Sequence, residues 1–222
     1  HDSKVTALVI SSDGQWVATA SSDATIILWD ARDASISQEW FAHHKQVLSL
    51  TFSPDCRRLA STGRDWKMNM WGISRSAHQL AALKGDTALS SGCAWSSNGA
   101  YIASRDEYNT IQLWDRRTFQ QLPLDGPKTS WLEPLFSPDS RWLLRHVDDD
   151  VRLWDVVSGT YLPLRLVRRL GYDRDDAPHK AAFSPSSTHL AVGYSNGVVR
   201  AWDIRGNGSD KLGAVKTRIR SD

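Results

Sequence analysis

The sequence predicts an all-β chain built from one four-stranded antiparallel unit repeated along its length. Three observations carry this prediction. First, short apolar runs end on turn signals: between His43 and Trp71, VLSLTF ends at Ser53-Pro54-Asp55, RLAST at Gly63-Arg64-Asp65 and KMNMW at Gly72. Alternating runs bounded by Pro, Gly and Asp are the pattern of strands joined by tight turns. Second, Trp29-Asp30, Trp71-Gly72, Trp114-Asp115, Trp154-Asp155 and Trp202-Asp203 recur at spacings of 42, 43, 40 and 48 residues. Third, Ser-led turns keep the same period: Ser12-Asp13-Gly14, Ser53-Pro54-Asp55, Ser96-Ser97-Asn98-Gly99, Ser137-Pro138-Asp139 and Ser184-Pro185-Ser186. Each lies between two apolar strands, the second being WVATA, RLAST, YIASR, WLLRH or HLAVG. A few strands alone cannot bury both faces of a sheet, so each unit needs its neighbours.

A repeat of about 40–45 residues with four strands and a Trp-Asp signature is the pattern of a propeller blade. On these residues the sequence resembles the WD-repeat β-propeller family, over nearly the whole chain and in five copies. The resemblance implies a buried tetrad of His, Ser or Thr, Asp and Trp. His1, Thr19, Asp23 and Trp29 fill those places, as do His43, Ser61, Asp65 and Trp71, with His 28, the hydroxyl 10 and Asp 6 residues before Trp in both sets. The Asp is expected to accept from the His ring, the ring to meet the hydroxyl, and the hydroxyl to reach the Trp N–H. Such a chain satisfies polar groups whose burial is otherwise costly.

The blades are expected at 1–42, 43–84, 85–125, 126–167 and 177–220, in one propeller region spanning 1–222, with an inserted loop at 168–176. Blade 1 takes VTALVI, WVATA, TIILW and SISQEWFA as strands; blade 2 takes VLSLTF, RLAST, KMNMW and HQLAAL. Blade 3 uses ALSSGCAW, YIASR, TIQLW and TFQQLPL, and its tetrad is broken: Asp86 replaces the His and Tyr108 the Asp, while Ser104 and Trp114 remain. Blade 4 uses WLEPLF, RWLLR, VRLW and TYLPLRL, with Leu144 at the hydroxyl place. The charged, Gly- and Pro-bearing stretch RRLGYDRDDAP then reads as a long loop and accounts for the spacing of 48. Blade 5 uses HKAAFSP, HLAVG and VVRAW, with Val192 and Asn196 in the hydroxyl and Asp places; LGAVKTRI supplies an outer strand. Family rings most often hold seven blades, and the chain opens within a repeat at His1. The expectation is an open arc from a larger ring whose bare end faces favour self-association.

The totals exclude several function classes. A formal net charge of +2 over 222 residues gives no electrostatic case for nucleic acid. No apolar run approaches the length of a membrane span, and no signal peptide is visible. Cys56 and Cys93 occupy different places in their repeats, which argues against a disulfide and for a reducing, intracellular setting, cytoplasm or nucleus. Phosphate-binding Gly motifs are absent from the sequence. Asp148-Asp149-Asp150 reads as a solvated turn, and His43, His44 and His78 have no zinc spacing, so no metal and no cofactor are expected.

His43, Ser61 and Asp65 have the residue types of a hydrolase triad. The same types recur in blade 1 at identical offsets and end on a Trp, which is the mark of a structural network; no catalytic residue is expected. A repeat that fixes its strands and varies its loops suits a non-enzymatic scaffold for proteins or peptides, as the resemblance also implies. An alternative is the C-terminal sensor region of a larger signalling NTPase. Partner contacts are expected from His44, Lys45, Arg64, Trp66, Asp86, Arg105 and Tyr108, on the face that carries the His loops and the turns between second and third strands. Trp66 stands where small or polar residues are usual, as packing against a neighbouring loop or as an anchor for a partner.

Overall fold

The computed structural model describes residues 1–73, 78–83, 89–106, 110–124, 132–147, 150–161, 178–205 and 215–216. Among them are strands and turns and no helix. Two compact units form the chain, His1–Pro123 and Leu124–Asp222. The first holds three four-stranded antiparallel sheets and the second holds two. Strands follow one another in simple meanders: β1 (Val5–Ile10), β2 (Trp16–Ser21), β3 (Thr25–Asp30) and β4 (Ile36–Phe41) make blade 1. Blade 2 consists of β5 (Val47–Phe52), β6 (Arg58–Gly63), β7 (Met68–Gly72) and β8 (His78–Leu83), and blade 3 of β9 (Leu89–Trp95), β10 (Tyr101–Asp106), β11 (Ile111–Asp115) and β12 (Gln121–Leu122).

In the second unit, blade 4 is β13 (Leu135–Phe136), β14 (Trp142–Val147), β15 (Asp150–Asp155) and β16 (Thr160–Tyr161). Blade 5 is β17 (Pro178–Phe183), β18 (His189–Tyr194), β19 (Val198–Asp203) and β20 (Val215–Lys216). The sequence places the first strand of blade 4 over WLEPLF, but pairing begins only at Leu135. Pro134 immediately precedes that start and has no N–H to give to a ladder. The stretch 168–176 and Asp148-Asp149 lie outside the described residues.

Within each unit the blades stack face to face, so the middle strands of blades 1 to 4 are buried largely on both sides, while in blade 5 β18 alternates and Val199 of β19 is exposed. Every residue of Met68–Gly72 is buried. Ala18, Ala20, Ile26 and Leu28 of blade 1 meet Leu50, Leu59 and Trp71 of blade 2 in one cluster. The next cluster joins Ala60, Met68 and Met70 to Trp95, Ile102 and Trp114 of blade 3. In the second unit Trp142, Leu144 and Leu153 meet Leu190, Val192 and Trp202. Each such side chain contributes about 1.5–3 kcal/mol on full burial. The small residues of one second strand thus receive the Trp-bearing face of the following blade. On blade 1 the corresponding face leaves Leu8 and Ile10 largely exposed, at 59% and 63%.

The Ser-led turns share one construction. The Ser carbonyl accepts the N–H of the fourth residue: Gly14 from Ser11, Cys56 from Ser53, Gly99 from Ser96, Ser140 from Ser137 and Ser187 from Ser184, all at 2.8–2.9 Å. The Ser hydroxyl accepts the N–H that opens the next strand, as Trp16 to Ser11 at 2.9 Å and Tyr101 to Ser96 at 2.9 Å. All five fourth residues adopt left-handed φ, from 55° at Cys56 to 69° at Gly14. Glycine fills this place twice; Cys56, Ser140 and Ser187 hold it against the strain of a side chain.

A Cβ added at Gly14 would meet no atom within 4 Å, so substitution there isolates the backbone term. Gly14→Ala is expected to lower unfolding free energy by about 1–2 kcal/mol in urea denaturation, without change in the far-UV spectrum.

Candidate functional site

The best-defined polar centre is in blade 2. His43 sits between β4 and β5, Ser61 on β6, Trp71 on β7, and Asp65 in the turn from β6 to β7. Asp65 Oδ1 lies 2.8 Å from His43 Nδ1, His43 Nε2 lies 2.8 Å from Ser61 Oγ, and Trp71 Nε1 donates to Ser61 Oγ at 2.9 Å. The indole can only donate, so the Ser61 hydroxyl is free to give its proton to Nε2, and Nδ1–H donates to Asp65. The network therefore specifies a neutral imidazole in one tautomer. Burial lowers the proton affinity of His43 and outweighs the nearby Asp65 charge, which would raise it.

For Asp65, burial acts to raise the carboxyl, but the His44 N–H at 2.9 Å and the His43 ring hold it below the usual carboxylate range. Gly63 makes this arrangement possible. A Cβ there would fall 2.5 Å from His43 Nδ1 and 2.9 Å from Asp65 Oδ1.

Blade 1 departs from the expected chain. His1 Nε2 meets Thr19 Oγ1 at 2.8 Å and Trp29 Nε1 donates to Thr19 Oγ1 at 2.9 Å, as in blade 2. However, His1 Nδ1 meets Thr25 Oγ1 at 2.8 Å, and Thr25 in turn donates to Asp23 Oδ1 at 2.5 Å. The direct His1–Asp23 approach is 3.6 Å. Two replacements account for the detour: Ser21 stands at the place of Gly63, and Thr25 at the place of Lys67. A side chain on the residue at the first place keeps the ring from closing on the carboxylate, and a hydroxyl at the second bridges the gap. Burial tends to raise the Asp23 carboxyl, but the Thr25 hydroxyl and N–H overcome it and hold the group at about 2.

Blade 3 keeps the last link, Trp114 Nε1 to buried Ser104 at 3.2 Å. In blade 4 Leu144 is fully buried at the hydroxyl place, and Trp154 instead meets Tyr161 edge-on at 4.8 Å. Buried Arg145 donates to the Tyr161 hydroxyl and lies 6.0 Å from the Trp154 ring. Val192 is fully buried in blade 5, and Asn196 caps its own turn by accepting the Val198 N–H at 3.0 Å.

The signature Asp has a local task. Asp30, Asp115, Asp155 and Asp203 each accept N–H groups from the following turn, as Arg32 to Asp30 at 2.9 Å and Thr118 to Asp115 at 2.8 Å. Gly72 replaces it in blade 2, where a Cβ would lie 2.7 Å from Cε1 of the exposed His78 ring.

Of the residues expected to meet partners, the structure gathers four around the Asp65 turn. His44, Lys45, Arg64 and Trp66 are exposed there, and Lys45 Nζ lies 5.6 Å from the centroid of the Trp66 ring. Trp66 is 57% exposed at a φ of 67°, a conformation rarely held by a bulky residue. The packed alternative for its indole is therefore not what the chain adopts. Arg105 is half-buried within β10 rather than in a turn. Asp86 and Tyr108 lie outside the described residues. Sequence reasoning missed a groove beside this cluster, a cavity of about 240 Å³ lined by Phe41, His44, Lys67, Asn69 and Gln79 among others. Phe41 sits in an outer strand and reads as core; no signal in the sequence marks it as exposed.

The Ser61 hydroxyl is fully buried and engaged on both sides, which leaves it no open face for a substrate. Among the described residues no three His, Cys, Asp or Glu side chains are grouped to hold a metal ion.

A family model described as "WD domain, G-beta repeat" matches residues 1–30, 35–72, 78–115 and 175–203. The chain belongs to the WD-repeat family. It is 26% identical over 93% of its length to WD repeat-containing protein 26 homolog of Arabidopsis thaliana, of which it covers 34%. It is 28% identical over 86% of its length to nuclear distribution protein PAC1 of Arthroderma benhamiae, covering 48%. With serine-threonine kinase receptor-associated protein of Dictyostelium discoideum it shares 27% identity over 92% of its length, covering 67%. The chain thus spans about a third to a half of the length of the first two relatives.

Two outcomes test the blade 2 network. Ser61→Ala leaves His43 Nε2 and the Trp71 N–H buried without partners and is expected to cost about 1–3 kcal/mol in urea denaturation. His43 and Asp65 both bind protons less readily folded than unfolded, so their contribution is present above the unfolded ranges and lost as pH falls. The melting midpoint is expected to fall as pH drops below about 6.5, then again through the carboxylate range, and the first fall is expected to shrink in His43→Gln.

Proposed function

We propose that this chain is a non-enzymatic, intracellular interaction platform that holds protein or peptide partners on the Asp65 corner of blade 2. The observation that carries the reading is Trp66. Its indole is exposed on a left-handed backbone, next to Lys45, and on a turn whose Asp65 is tied to His43 and His44. Backbone strain of this kind persists only where surrounding structure enforces it, and it concentrates at sites of recognition. Corresponding turns carry Ala24 and Gly197, also at positive φ, so blade geometry does not require an indole there. Exposed Trp and Arg are the side chains that most often dominate binding energy.

The names of relatives support an assembly role. Guanine nucleotide-binding protein subunit beta of Zea mays and target of rapamycin complex subunit wat1 of Schizosaccharomyces pombe are each named as a subunit of something larger. The kinase receptor-associated relative is named for an association. A rigid scaffold with one strained aromatic on its surface fits that kind of task.

Trp66→Gly separates folding from recognition. Glycine removes the left-handed strain while adding backbone freedom, so the unfolding free energy is expected to stay within about 1 kcal/mol of the parent. Partners recovered by affinity purification and mass spectrometry with the parent chain are expected to be lost with Trp66→Gly. Unchanged recovery would overturn the reading.

A further inference from the structure

The groove beside the Asp65 turn is formed by the end of β4, by β7 and by β8. Phe41, the last residue of β4, is 80% exposed. Phe41 pairs with Thr25 and the preceding Trp40 with Ile26; Trp40 holds the ladder place that Leu83 holds opposite Met68, and both pack on a core, so Phe41 leaves the strand on the opposite face. Within the groove, Asn69 donates to the Ala42 carbonyl at 2.7 Å and accepts from Gln79 Nε2 at 3.0 Å. Gln79 Oε1 takes no hydrogen bond among the described residues and can receive the N–H of an extended chain.

Charge decides the class of occupant. Arg32, Arg141 and Arg205 are each paired with a carboxylate of their own blade, Asp30, Asp155 and Asp203. Around the groove, Lys45, Arg64 and Lys67 have no carboxylate within ion-pair reach among the described residues, and Asp65 is already occupied by His43 and His44. The corner therefore carries unneutralised positive charge beside two exposed aromatic rings. A cavity of about 240 Å³ is below the usual range of about 300–1,000 Å³ for a small-molecule pocket. It suits one large apolar side chain of a longer segment.

We infer that this groove docks an acidic segment of a partner protein, placing one apolar side chain against Phe41 and carboxylates against Lys67, Lys45 and Arg64. The inference rests on the interaction reading above and narrows it to a partner chemistry. Backbone N–H of the segment meets Gln79, and the Trp66 ring flanks the entrance. A nucleic-acid strand would satisfy the cations and the aromatic rings but would not use the amide pair or the apolar pocket, so a peptide is favoured.

The test uses the full chain and a short fluorescein-labelled peptide of glutamates around a central leucine, read by fluorescence anisotropy. Saturable binding is expected, weakening as salt rises. Phe41→Ser and Lys67→Gln are each expected to weaken it about tenfold or more, with the melting curve confirming that both variants fold. Absence of saturable binding, or binding that both variants leave unchanged, would overturn the inference. Equal affinity for a thymidine oligonucleotide of matching charge would overturn it in favour of nucleic acid. If Trp66→Gly loses its cellular partners while Phe41→Ser keeps them, the groove assignment falls and the interaction platform stands.

Discussion

The central strands of blades 1 to 4 are covered on both faces, and a polar group caught between them costs stability unless it finds a partner inside the stack. That requirement shapes blade 2 most strongly. The His43 ring, the Ser61 hydroxyl and the Trp71 indole lie where water does not reach, and Asp65 anchors the end of their chain. A buried network is stabilising only when each member is satisfied. Gly63 is part of that network although it contributes no polar side chain, because the ring and carboxylate occupy the space a Cβ would need.

The other blades meet the same requirement by different chemistry. Blade 1 inserts the Thr25 hydroxyl between ring and carboxylate. Blade 4 abandons the hydroxyl for Leu144 and holds Trp154 with Tyr161 and Arg145. Blade 5 replaces the hydroxyl with Val192 and packs Trp202 against blade 4. Loss of the polar set therefore does not loosen the blade, since apolar packing fills the vacated place at no desolvation cost. What repeats is the burial of an indole between sheets; the groups that secure it vary.

The proposed partner site lies where the polar network is most complete. The turn that Asp65 fixes is rigid enough to hold Trp66 in a conformation an unconstrained chain would avoid. Among the described residues the neighbouring cations have no carboxylate in ion-pair reach, whereas Arg32 and Arg205 are paired within their own turns. A stiff corner with unused charge and exposed rings is preorganised for recognition, because little further ordering is needed on binding.

The sequence alone determined the class of fold, the period, the position of most strands and the membership of both tetrads, because strand alternation, turn chemistry and a fixed offset of residue types are local features. It also marked Trp66 as out of place. Tertiary structure decided what depends on neighbours: that Thr25 mediates between His1 and Asp23, that Gly63 makes way for the His43 ring, and that Phe41 stands exposed while the adjacent Trp40 packs on the core. Arg105 was legible as the end of the strand YIASR, but not as a half-buried side chain. The physical reason is common to these cases. Periodicity says which way a side chain leaves its own sheet, but only the packed neighbour says whether it meets a core, a hydrogen-bond partner or open solvent.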